Sequence, residues 1–313
     1  MRVKTLIAAL LALSLCVLFL RKEENKDTEG KSPEAKLNKN SFAAENLLFP
    51  VPDYQKVQQK VKDIADKENF SEAQRMAFVY DLQLSKISKN DEEFLRYYLR
   101  NNDPDDSYAV KNDVVEYLVR SSQEMNLTEK TLYHLLSLSN DEVLREYILQ
   151  YIPEFYDNCF SHFRDADFSK FNNLLFDLLN ENNSSIAGAS LFALYKISRN
   201  FPEVEKSEVL DNARQILADT SSSSSSRIAS AQLLFDSNLA ETDKLLRKIS
   251  FAENEPVLLR MAAIKSLEKR KVADLEFINF LKELKLKSDD SRLVYLASVS
   301  LKNLNKNQRD SSE

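Results

Sequence analysis

An all-α fold, an α-solenoid of antiparallel helix pairs behind an N-terminal membrane segment, is predicted by three features of the sequence. Apolar residues recur at mixed three- and four-residue steps from Leu47 onward. Strand-like alternation is nearly absent. Four segments of the C-terminal half repeat one pattern of small residues bracketed by large apolar ones.

The N-terminus comes first. Two positive charges in residues 1–4 precede a run, opening at Thr5 and closing at Leu20, that carries no charge, and Arg21 and Lys22 follow it. As a helix the run spans about 24 Å, short of the roughly 30 Å hydrocarbon core, which favours a signal-peptide core. No small-x-small cleavage pattern follows it, which favours a retained anchor whose Arg and Lys flanks reach the interface. Leu13-Ser14-Leu15-Cys16 resembles a lipobox, so lipidation at Cys16 is an alternative to both. The short N-terminal tail is expected to stay inside, with the body periplasmic or otherwise outside the cytoplasm.

Four regions are expected: a signal anchor or signal peptide in 1–20, a flexible polar linker in 21–44, a helical repeat domain in 45–306 and a polar tail in 307–313. The linker has too little apolar surface to offset the entropy of ordering. Within the domain, helices are expected near 54–67, behind Ser71, and at 91–101, 107–122, 129–139, 141–152, 168–181, 185–199, 207–218, 226–237, 241–250, 256–270, 273–286 and 291–304. Ser71 and Gln74 have the spacing of a reciprocal cap, in which each side chain satisfies a free backbone N–H of the first turn. Thr128, Asn140 and Ser184 stand in similar positions.

The repeats carry most information. Placing Ser190, Ser230, Ala263 and Ala297 in register aligns four helices, with one more helix between each. Small residues let two helices approach closely, so these are expected to be the inner members of stacked pairs. Leu259-Arg260-Met261-Ala262-Ala263-Ile264-Lys265-Ser266-Leu267 resembles the second helix of HEAT repeats, well over 184–304 and loosely over 71–152, where Asn90-Asp91-Glu92-Glu93-Phe94-Leu95-Arg96-Tyr97 echoes Asn140-Asp141-Glu142-Val143-Leu144-Arg145-Glu146-Tyr147. The chain departs from that family in lacking its usual first-helix proline and regular Asp–Arg pairing. The resemblance implies a superhelix of the HEAT and armadillo type with a long surface for protein partners.

Composition removes much catalytic chemistry. Two glycines, Gly30 and Gly188, stand where an average chain of this length has roughly 20. Phosphate loops, dinucleotide fingerprints and the hydrolase nucleophile elbow need clustered glycines and are excluded. His134 and His162 open no zincin motif. A net charge of −6 argues against a chain-wide grip on nucleic acid. Cys159 has no partner cysteine outside the apolar run.

Cys159, His162, Asp165 and Asp167 form the one group with metal-binding chemistry, yet the second Cys/His pair of a structural zinc site is missing. His134 is expected to pack on a helix. The serines of 221–226 are expected to form a loop that caps a helix starting at Arg227, with phosphorylation as the alternative. Asn69, Asn126 and Asn183 stand in glycosylation sequons. No catalytic, cofactor-binding or metal residue is assigned.

Charge is polarised along the chain, with 17 acidic and 7 basic residues in 90–167 against 15 basic and 8 acidic in 244–309. The expected function is that of a membrane-anchored, non-catalytic scaffold for protein partners, with salt-sensitive self-association through the two blocks. The competing expectation is a helical-toroid enzyme acting on a cell-envelope polysaccharide. The absence of Trp for sugar stacking disfavours it.

Overall fold

A computed structural model describes residues 49–85, 87–101, 103–162 and 168–310. Fourteen α-helices and no strand occur among the described residues. They are α1 (Gln59–Ala65), α2 (Glu72–Leu82), α3 (Lys89–Asn101), α4 (Tyr108–Ser121), α5 (Met125–Leu138), α6 (Glu142–His162) and α7 (Ser169–Leu178). The C-terminal half holds α8 (Ile186–Ile197), α9 (Lys206–Ala218), α10 (Ser224–Leu233), α11 (Ala240–Phe251), α12 (Val257–Lys269), α13 (Leu275–Lys287) and α14 (Ser291–Asp310). Short 3-10 turns precede α1 at Tyr54–Lys56 and follow α10 at Leu234–Asp236. All fourteen helices belong to one compact unit, Val51–Glu313.

Each odd-numbered helix packs on the even one after it, and the even helices pack on one another in order from α2 to α14. The result is seven helix pairs, each joined to the next. The register read from the sequence falls in this seam: Ser190, Ser230, Ala263 and Ala297 lie on α8, α10, α12 and α14, each 0% exposed. Replacing Ala263 with leucine is therefore expected to overpack the seam at about 1–3 kcal/mol. Lys265, two positions on, pairs with Glu268 at 3.1 Å from a side chain that reaches solvent, so Lys265→Ala should shift stability by about 0.5 kcal/mol or less. Urea melts that rank the two the other way overturn the assignment.

Several boundaries differ from the sequence reading, each for a physical cause. The helix expected to stop at 152 runs through Pro153 to His162. A proline inside a helix costs about 3 kcal/mol, and here burial of Phe155, Tyr156 and Cys159 offsets it. The Tyr156 ring stacks on Phe168 with centroids 4.1 Å apart, and meets Phe201 edge-on. Thr128 is no cap. Burial of Met125 draws in an earlier turn, and from inside α5 the Thr128 hydroxyl donates to Oγ of Ser122, the residue that ends α4. The cap of α6 is Asp141 rather than Asn140, with Oδ1 accepting from Leu144 N at 3.1 Å. Ser184 Oγ accepts from Ile186 N, one position outside the boundary residue Ser185. Ser71 and Gln74 form the expected reciprocal cap.

The joints between pairs hold cation–carboxylate links, irregular in spacing and so not the regular Asp–Arg pairing that the sequence lacks. Arg75 of α2 binds Asp106 ahead of α4, Arg145 of α6 binds Glu181 ahead of α8, and Arg227 of α10 binds Glu255 ahead of α12. Lys111 of α4 reaches toward Asp141 at 3.9 Å. Arg75, Arg227 and Arg260 also donate from Nε to a carbonyl at the end of the preceding odd helix, Ile64, Leu217 and Ser250 respectively. Each such cation ties the two helices of its own pair, and the first two also grip the next pair. Arg145 lacks the inner bond: its Nε is buried with no partner.

Candidate functional site

One set of side chains on the even row bonds from one even helix to the next. On α4, Asp113, Glu116 and Arg120 follow one another at three- and four-residue steps on the side opposite the buried Val110, Val114 and Leu118. On α6, Tyr151, Glu154 and Asp157 follow one another at three-residue steps. Cross-helix bonds join the stripes: Tyr151 OH donates to Glu116 Oε2 at 2.9 Å and accepts from Asn112 Nδ2 at 3.4 Å. Arg120 donates to both oxygens of Glu154, at 2.7 and 3.1 Å, and also meets Glu116. The surface is charged but held in shape.

Asp113 and Lys196 on this row have no ion pair among the described residues. Burial raises the Asp113 carboxyl above the usual aspartate range, with only the Asn112 amide opposing it. Burial lowers the Lys196 ammonium of α8 below the usual lysine range, because nearby protein displaces water although the side chain reaches solvent. Lys196, Arg199 and Asn200 border a cleft of about 270 Å³ against Pro153 and Asp157 of α6 and Phe201. Asn200 Nδ2 donates to Asp157 Oδ1 at 3.2 Å across it.

Toward the C-terminus the row turns basic. Glu268 of α12 is held by Ser300 Oγ at 2.5 Å and Asn303 Nδ2 at 2.8 Å of α14, and by Lys265. Burial pushes its carboxyl up, but these three bonds outweigh burial and keep it below the usual glutamate range. The ammonium of Lys269 sits 4.6 Å from the centre of the Phe235 ring, a cation–π contact at the surface. Tyr295 of α14 is exposed.

The sequence-predicted residues distribute differently. Cys159 lies within α6 rather than in a loop, and burial together with the Glu129 charge pushes its thiol up to about 12, so it stays a thiol at neutral pH. The side chains of His162, Asp165 and Asp167 lie outside the described residues. No group of three or more His, Cys, Asp or Glu residues able to hold a metal occurs among the described residues. His134 is half-buried on α5, where burial and then the Arg100 charge lower it and favour the neutral imidazole. In the serine tract, α10 starts at Ser224 rather than Arg227, and Ser223 is its cap. Asn69, Asn126 and Asn183 are exposed.

The charge blocks are also modified. Of the 17 carboxylates in 90–167, Asp91, Glu92, Glu93 and Asp106 are buried. Glu92 and Glu93 bind Arg96, and Glu93 also binds Arg100, so part of the acidic excess never reaches the surface. Sequence reading missed the cleft residues Asp157, Lys196 and Arg199. The signal was there: Lys196 is the lone charge in the apolar helix Ile186–Ile197.

Among the described residues no helix is long and apolar enough to cross a membrane; residues 5–20 lie outside them. Compared with known proteins, the chain matches no family model and no curated protein.

Proposed function

We propose that the chain is a non-catalytic scaffold, an α-solenoid of seven HEAT-like helix pairs that binds other proteins along the cross-bonded side chains of its even helices. The N-terminal apolar run, from Thr5 to Leu20, tethers it to a membrane, with the body periplasmic or extracytoplasmic. The observation that carries this reading is the row of charged side chains on α4 and α6, locked by cross-helix bonds such as Arg120 to Glu154. A surface already ordered loses less entropy when a partner docks. Pairs that each pack on the next supply the length that a binding face of this kind needs.

The test is capture from solubilised membranes by the full-length protein. Retention of a partner is expected to fall sharply between about 20 mM and 500 mM salt, where the Debye length shrinks to roughly 4 Å. Glu154→Lys on α6 and Lys269→Glu on α12 are each expected to lower retention, whereas Lys244→Glu, exposed on α11 of the odd row, leaves it unchanged. Equal retention by all three variants overturns the binding face. Light scattering at the two salt concentrations separates a foreign partner from a second copy.

A further inference from the structure

The cleft between the second half of α6 and the end of α8 has an unbalanced charge. Pro153 and Asp157 of α6, Lys196 and Ile197 of α8, and Phe201 beyond it line a space of about 270 Å³. At its border stand two cations, Lys196 and Arg199, and one carboxylate, Asp157. Asp157 is engaged by the Asn200 amide. Lys196, exposed at the end of α8, has no hydrogen bond or ion pair from its ammonium among the described residues. Arg199 has no ion pair either. Its charge is felt by Tyr195 and Asp236, but the Asp236 carboxylate is already bound by Lys206 and by the Tyr195 hydroxyl. An arriving carboxylate would therefore supply what both cations lack.

We propose that this cleft receives a carboxylate side chain from an acidic segment of the partner protein, its oxygens between Lys196 and Arg199 and its methylenes against Phe201 and Pro153. The volume lies just below the roughly 300–1,000 Å³ of small-molecule sites and suits one side chain. The side chains of Pro153, Ile197 and Phe201 in the lining suit a carbon stem, which inorganic anions do not have. A guanidinium beside an ammonium gives a carboxylate charge-assisted bonds with fixed direction. The assignment rests on the scaffold reading and names the chemistry of its partner.

Fluorescence anisotropy of the full-length protein in detergent with fluorescein-labelled hexaglutamate, at low salt, tests it. Lys196→Gln and Arg199→Gln are each expected to weaken binding by about tenfold, the effect of losing one charge-assisted bond. Lys196→Arg is expected to keep it, and Lys285→Gln, a surface charge on α13, to change it by about twofold or less. Circular dichroism melts confirm that the variants fold. Unchanged binding in both glutamine variants overturns the assignment, as does an equal loss in Lys285→Gln, which would mark diffuse attraction. Displacement by inorganic phosphate as readily as by unlabelled hexaglutamate also overturns it, in favour of a free-anion site. Membrane-protein capture that ignores Glu154→Lys and Lys269→Glu while hexaglutamate still depends on Lys196 sinks the scaffold reading and leaves the carboxylate site standing.

Discussion

Replacing Asp106 with alanine is expected to lower stability by about 3–5 kcal/mol, because it strands a buried cation. Asp106 accepts from Arg75 Nη1 at 2.7 Å, Arg75 Nη2 at 2.9 Å, Tyr98 OH at 2.7 Å and the Ser107 backbone N–H at 2.6 Å. Arg75 is 2% exposed, so its charge cannot turn to water when the carboxylate is gone. Lys60→Ala, at the exposed pair with Asp81, is expected to cost about 0–1 kcal/mol. Urea melts with unchanged slope measure both. The double variant Arg75→Met with Asp106→Leu should recover part of the loss, since it removes the charge and its partner together but leaves Tyr98 OH, the Ser107 N–H and the Ile64 carbonyl without these bonds. Equal losses for Asp106→Ala and Lys60→Ala would show that the Arg75 link does not hold the first two pairs together.

The same carboxylate sets a pH window. Burial pushes the Asp106 carboxyl up, but the bonds from Arg75 and Tyr98 outweigh burial and hold it below the ordinary value of 3.8. The unfolded chain then binds the proton more readily than the folded one. The contribution is present above the ordinary value and is lost as pH falls through the folded one. Wild type should therefore lose stability faster than Asp106→Asn as pH drops below about 4.

Much of this architecture is legible locally. Amphipathic spacing is a property of neighbouring residues, so the all-α class and the helices come through, and so does the small-residue register of Ser190, Ser230, Ala263 and Ala297. Longer-range choices do not. Whether α6 survives Pro153 depends on what Phe155 and Tyr156 pack against, which no local pattern states. The cation–carboxylate links stay hidden because their separation varies: 31 residues for Arg75–Asp106, 36 for Arg145–Glu181 and 28 for Arg227–Glu255. A search for fixed spacing misses them. The cleft at Lys196 is hidden for the same reason, since it pairs the end of α8 with a proline turn more than forty positions earlier.

Gly188→Val is expected to destabilise the protein by about 2–4 kcal/mol, the sum of overpacking and a buried N–H that loses its acceptor, less a small gain in helix propensity. The α8–α10 joint has Ala187 where the register of Arg227 and Arg260 would place an arginine, and it is held instead by close approach. Gly188 N donates to Ser226 Oγ at 2.9 Å, and that hydroxyl donates to the Ser184 carbonyl at 2.9 Å. A Cβ on Gly188 would stand 3.0 Å from Ser226 Cα and 3.1 Å from Ala229 Cβ. Backbone forms one wall of that space, so a side chain swing cannot relieve it. For alanine, a helix gain of about 1 kcal/mol works against an overpacking cost of about 1–3, leaving a net loss of about 0–2 kcal/mol. Valine adds two methyl groups to the same contact and must push α10 away, taking the Ser226 acceptor out of reach. Amide hydrogen exchange should then quicken at Gly188 and through α10, while α1 to α4, whose pairs meet at Arg75 and Asp106, keep their protection. Stability within about 1 kcal/mol of wild type for valine would mean that the two helices do not depend on this approach. Uniform loss of protection from α1 to α14 would instead show that the seven pairs open as one cooperative body, against the neighbour-by-neighbour stacking that the scaffold reading requires.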